Sequence, residues 1–249
     1  MGRKLILWDF DGVIIDSMQE CLLTSYNAFL SFGNSEAQSV SLTAIPASVS
    51  EHFFKFRKYV RPAGEYYLMH QSLVESEDIA TPEAYQRYVK LKKDKISAFQ
   101  PLFFQQRNSF RQENEQEWLE LHQVYPHIFG AWERLQMDYK FIVVSNKDKR
   151  SIKMLLDHFH LGPVSEIYGS DFSNNKYEII QHLIKSKHLS HADVVFVDDH
   201  AGHLRDVQPL GVKLGFANWG FGTIPNNTDL NATIMSPENL VEKIQEILA

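Results

Sequence analysis

Apolar residues follow two alternating patterns along this chain. Runs that are apolar at nearly every position occupy residues 4–8, 140–144, 193–197 and 212–217. Short runs of this kind, rich in β-branched residues, suit strands covered on both faces, as in a parallel sheet. Between the later runs the spacing becomes helical. Ile152, Leu155, Leu156 and Phe159 share one face over 149–159, and Ile179, Ile180, Leu183 and Ile184 share one over 176–187. Leu240, Ile244 and Ile247 close the chain at the same spacing, with Ser236 suited to an N-cap and Pro237 to the first helical position. Strand alternating with helix over 140–249 predicts an α/β fold, a doubly wound and mainly parallel sheet with right-handed crossovers.

Residues 18–129 break this rhythm. They hold no convincing strand, and helical stretches fall at 49–59, 82–99 and 103–122. The pattern predicts an inserted α-helical cap over 18–129, lying over the carboxyl edge of a sheet built from 1–17 and 130–249. Hinges are expected near 16–18 and 125–130, where Pro126 and Gly130 punctuate the chain. The aromatic cluster Phe53, Phe54, Phe56, Tyr59, Tyr66 and Tyr67 reads as core. Glu113, Glu115, Glu117 and Glu120 read as a solvated helix face.

Composition narrows the function. A net charge of −6 over 249 residues, without a basic stripe, argues against nucleic-acid binding as the main activity. The single cysteine, Cys21, excludes an intramolecular disulfide and a cysteine-cluster metal site. Its neighbours Leu22 and Leu23 mark it as a buried apolar residue. No run approaches the ~20 apolar residues of a membrane span. Residues 4–8 are too short for a secretory signal, so a cytoplasmic setting is expected.

The chemistry gathers where strands end. The first run leads into Asp9-Phe10-Asp11-Gly12. If the strand continued, the two acids would share a face, and Gly12 would let the backbone turn. Two readings stand. One is a nucleophilic carboxylate with an acid/base carboxylate beside it and a hard metal ion between them; the other is a plain polar turn. The second run ends in Ser145-Asn146, whose hydroxyl and amide suit phosphate oxygens at a helix N-terminus. Equally, Asn146 or Asp148 caps the next helix. Lys176 opens a helix against the macrodipole, which suggests a carboxylate partner, though a surface lysine is the default. The third run ends in Asp198-Asp199, costly without a cation, or else a turn in which Asp199 is a cap.

Taken in order, Asp9-Phe10-Asp11-Gly12-Val13 with Asp16-Ser17, then Ser145, Lys176 and Asp198-Asp199, resemble the haloacid dehalogenase superfamily. The likeness is to its phosphatases and phosphomutases with a helical cap after the first strand. It implies a Rossmann-like core and a Mg²⁺-dependent phosphatase acting on a small phosphorylated metabolite. Asp9 would form an aspartyl-phosphate, and Asp11 would act as acid and then base. Ser145, with Asn146 and Gly12, would hold phosphoryl oxygens, and Lys176 would stabilise the charge. Magnesium would take the Asp9 carboxylate, the Asp11 carbonyl, Asp199 and Asp198. A phosphomutase of the β-phosphoglucomutase type and a binding protein without catalysis are the alternatives. Asp11 argues against dehalogenation, because a halide leaves without a proton. His200 and His203 depart from the family pattern. In the cap, Arg61, with Arg57 and Lys58, either offers a cationic loop to an anionic substrate or belongs to solvated helix ends.

Overall fold

The structure, a computed structural model, describes residues 4–225 and 230–249. It divides into two compact units, Met1–Asp16 with Gln123–Ala249, and Ser17–His122. The first unit opens with β1 (Leu5–Trp8) and β2 (Ile15–Asp16). The second unit follows, with α1 (Met18–Gly33), α2 (Ala47–Phe56), α3 (Tyr66–Glu75), α4 (Pro82–Leu91), α5 (Lys93–Glu113) and α6 (Glu115–Glu120). The chain then re-enters the first unit through β3 (Gln123–Val124) and α7 (Pro126–Leu135). Beyond these lie β4 (Lys140–Val144), α8 (Lys149–His158), β5 (Glu166–Tyr168), α9 (Lys176–Ser186) and β6 (Val194–Asp198). The last elements are α10 (Ala201–Val207), β7 (Lys213–Ala217), β8 (Thr233–Met235) and α11 (Leu240–Ile247).

The main sheet has six strands in the order β5-β4-β1-β6-β7-β8, every neighbouring pair parallel. The order reverses beside β1, which lies between β4 and β6. Crevices at such a reversal, at the carboxyl ends of the strands, are where open α/β sheets place ligands. Every residue of β1 and β6 is buried, as the unbroken apolar runs require. Leu5, Leu7, Ile142, Val144, Phe196 and Leu214 form one packed face with Ile179, Ile180 and Leu183 of α9.

All four predicted strands are present, each within one residue. The edge strands β5 and β8 carry three residues each, too few to show a pattern. The last helix begins at Leu240, later than the expected Ser236 cap. The Asn239 side chain accepts the Ser236 N–H at 2.8 Å, which makes residues 236–239 a turn.

The units meet at Asp16/Ser17 and His122/Gln123. The predicted return to the core at 130 is therefore late. β3 pairs antiparallel with β2, Ile15 opposite Val124 and Asp16 opposite Gln123, and this ladder draws 123–129 into the core unit.

Inside the helical unit the predicted helices are re-divided. The break falls at Lys92, and α5 runs unbroken through Pro101. That proline gives up one main-chain bond on an exposed face. Phe99 and Phe103, fully buried on either side, keep the helix continuous. Phe53 stacks on Tyr66 at 5.6 Å and Tyr66 on Phe103 at 5.1 Å, so most of the aromatic cluster is core, with Phe54 exposed. Cys21 is buried. Glu20, fully buried, accepts two bonds from Arg107 at 2.7 and 2.8 Å and one from Thr24 at 2.9 Å. No helix of the described residues is long and apolar enough to cross a membrane.

Candidate active site

β1 stops at Trp8, so pleat geometry does not set the two acids. The Asp9 N–H still bonds the Val197 carbonyl at 2.9 Å, which holds Asp9 at the end of the ladder. The chain then folds back on itself. The Phe10 carbonyl accepts the N–H groups of Ile14 and Ile15 at 2.9 and 3.0 Å, and Gly12 N–H bonds Ile15 O at 2.8 Å. Gly12 has φ +86°, a left-handed conformation that a side chain disfavours. A Cβ there would also lie 2.4 Å from Asp199 Oδ2. The turn, not a shared strand face, therefore sets where Asp11 lies.

Each acid meets a buried lysine. Lys176, at the start of α9, places Nζ 2.8 Å from Asp9 Oδ2 and 2.7 Å from Asp198 Oδ2. Two carboxylates offset both its burial and its unfavourable place on the helix dipole. Burial raises the Asp9 carboxyl above its ordinary value, and the Lys176 ammonium opposes this only in part. For Lys176, burial works against the charge, but Asp198 and then Asp9 outweigh it and the ammonium is raised.

Asp198 is a junction. Its Oδ1 accepts the His200 N–H at 2.7 Å, and His203 Nδ1 lies 3.3 and 3.2 Å from its two oxygens. Asp9, Asp198 and His203 thus offer ligand atoms within 4.8 Å of one another. The cap of α10 is His200, whose Nδ1 accepts the Gly202 N–H at 3.1 Å, so Asp199 is not the cap. Asp199 instead accepts the N–H groups of Phe221 and Gly222 at 2.6 and 3.2 Å. Gly220 and Gly222 pack so closely on Asp199 that a Cβ at Gly222 would lie 1.8 Å from its carbonyl oxygen.

At the end of β4, Ser145 is buried, and its Oγ accepts the Lys147 N–H at 3.3 Å. The cap of α8 is Asp148, whose side chain accepts the Ser151 N–H at 2.9 Å. Asn146 is therefore not the cap. Its buried Oδ1 has no hydrogen-bond partner among the described residues. Lys147 is the residue that sequence reasoning missed. Its side chain is wholly buried, with Nζ 3.1 and 3.2 Å from the two Asp11 oxygens. The one available signal was its place between Asn146 and the capping Asp148, at a strand end. Arg61 belongs to the helical unit, where its N–H bonds Glu65 Oε2 at 3.0 Å. The constellation itself comes entirely from the core unit.

Asp9 and Asp198 offer carboxylate oxygens and His203 one imidazole nitrogen, a donor set that could hold a divalent cation. The cluster can also carry a nucleophile, because Asp9 is buried, fixed by Lys176 and next to a second acid.

A family model described as haloacid dehalogenase-like hydrolase matches residues 3–204. No curated protein matches the chain. Solved structures share the fold at low identity. One, described as a predicted phosphoglycolate phosphatase from Haemophilus somnus 129pt, is 17% identical with TM-score 0.63, the match covering 98% of each chain. Another, a predicted phosphatase from Clostridium acetobutylicum, is 17% identical with TM-score 0.63, covering 99% of this chain and 100% of that one. A haloacid dehalogenase-like family protein from Streptococcus pneumoniae is 17% identical with TM-score 0.62, covering 98% and 99%. With its strand-end acids and lysines in place and the family model spanning most of its length, the chain belongs to the haloacid dehalogenase-like hydrolases.

Proposed function

We propose that this hydrolase is a Mg²⁺-dependent phosphatase of small organic phosphomonoesters. The observation that carries the reading is Asp9, buried at the carboxyl end of β1 and held at 2.8 Å by a lysine that also holds Asp198. Two of the structural relatives named above are described as phosphatases, which supports the same class.

An Asp9 oxygen attacks phosphorus, the ester P–O bond breaks, and Asp11 gives its proton to the departing alkoxide. Water then attacks the aspartyl-phosphate, Asp11 takes a water proton, and Asp9 is released with inorganic phosphate. Ser145 and the amide of Asn146 hold phosphoryl oxygens. Lys176 offsets the charge that accumulates as a dianion meets a carboxylate. Asp9, Asp198, Asp199 and the Asp11 carbonyl, with His203 beside them, would hold Mg²⁺, which supplies the remaining neutralisation. The helical unit is the insertion to which we assign substrate choice, with Arg61 as its candidate anion contact.

The test is inorganic phosphate release from a panel of sugar phosphates, phosphoglycolate and nucleotides, with Mg²⁺ and with EDTA. Release that needs Mg²⁺ and disappears in Asp9→Asn, with the melting temperature kept, is the expected result. Full activity of Asp9→Asn sinks the mechanism.

A further inference from the structure

We infer that Lys147 is a positioning residue that aims the Asp11 carboxylate at the leaving group. This rests on the phosphatase reading. The side chain of Lys147 is 0% exposed, and its ammonium contacts both oxygens of Asp11, at 3.1 and 3.2 Å. A buried ammonium has lost its hydration and is tolerated only where a carboxylate or several acceptors replace it. Here a carboxylate does so, on a residue that the mechanism requires.

Capping of α8 does not require a charge at this point. Lys147 lies in the connection between β4 and α8, where Asp148 already caps the helix. An apolar side chain of similar length would fill the same volume without desolvating an ion. A carboxylate presents about four lone-pair sites, so an ammonium across both oxygens fixes its plane and leaves sites facing elsewhere. Asp11 is 18% exposed, less enclosed than its partner, so part of its surface remains open to a ligand. Two lysines therefore divide the work. Lys176 holds the nucleophile Asp9, and Lys147 orients the acid/base Asp11.

The consequence depends on the leaving group. As the Asp9–phosphorus bond forms and the ester bond breaks, an alkoxide needs the Asp11 proton, whereas 4-nitrophenolate leaves without it. The experiment measures kcat/KM, which reports phosphoryl transfer to Asp9, for 2-phosphoglycolate and 4-nitrophenyl phosphate. It uses the native chain, Lys147→Met, Lys147→Arg, Asp11→Asn and the double variant Asp11→Asn with Lys147→Met.

In Lys147→Met we expect a fall of about 100-fold for 2-phosphoglycolate, the low end of general-acid contributions. The fall for 4-nitrophenyl phosphate should stay within about threefold, and Lys147→Arg should recover most of the loss. In the double variant the loss on 2-phosphoglycolate should equal that of Asp11→Asn alone, since positioning an absent acid does nothing. Lys147→Gln replaces Lys147→Met if that variant fails to fold. Equal losses on both esters, additive losses in the double variant, or a faster alkyl reaction without the lysine would each overturn the inference while leaving the phosphatase reading intact. Where the panel above names an alkyl ester other than 2-phosphoglycolate, that ester takes its place, and a native chain that releases phosphate from no ester of the panel, with Mg²⁺ present, overturns both.

Discussion

Gly12 shows how closely this site is packed at the level of single atoms. Its φ of +86° costs a non-glycine residue about 1–2 kcal/mol on backbone grounds. The 2.4 Å approach to Asp199 Oδ2 adds a collision that only movement of the carboxylate can relieve. Gly12→Ala should therefore lower the melting temperature by several degrees and cut phosphate release by at least about tenfold, through displacement of Asp199. Calorimetry and a phosphate assay on the same preparation check both, and an unchanged rate would contradict the account. Asp9, Asp11, Ser145 and Asp198-Asp199 were legible because polar residues at the ends of apolar runs stand out. Lys147 was not, because a lone lysine between polar neighbours looks like any surface lysine. The contact between His203 and Asp198 was equally hidden, since nothing in a helix's first turn announces that an imidazole points back to the preceding strand.

Elements that bury polar groups make the chain sensitive to pH in a definite direction. His70 of α3 is buried, with Nε2 2.9 Å from Ser25 Oγ of α1 and no hydrogen-bond partner for Nδ1 among the described residues. Phe29 and Phe53 pack around its ring. Burial, assisted by His52, lowers its pKa from 6.5 to about 3. Between those values the unfolded chain binds a proton that the folded one refuses. Stability should therefore fall as pH drops below 6.5, by about 2 kcal/mol at pH 5 from this group alone. In His70→Gln, whose amide can still hydrogen-bond the Ser25 hydroxyl, the loss between pH 7 and pH 5 should shrink by that amount, as read by denaturant unfolding. An identical loss in both proteins would refute the assignment. At this scale the sequence was clear where one face dominated, as in α9, or where a run was apolar throughout, as in β1. It misled around Pro101, where two buried phenylalanines outweigh the missing N–H, and at the three-residue edge strands.

For the whole molecule, the telling pair is Asp16 opposite Gln123 in the β2–β3 ladder. The helical unit leaves and rejoins the core between two residues that already face each other across an antiparallel pair. A gap of that width is closed by a turn of about two residues. The core also keeps its own buried sheet and the entire constellation of Asp9, Asp11, Lys147, Lys176, Asp198 and His203. Replacing Ser17–His122 by Asn-Gly should then yield a protein that melts cooperatively. Magnesium should still raise its melting temperature relative to EDTA, because a ligand at 100 times its dissociation constant adds about 2.7 kcal/mol to the folded state. Asp198→Asn in the same shortened chain should abolish most of that gain. Phosphate release should be the property that suffers, as substrate choice is assigned to the missing unit. A shortened chain without a cooperative melt would show that the sheet needs the helices to fold. One that melts cooperatively yet gains nothing from magnesium would instead move metal binding away from the core cluster.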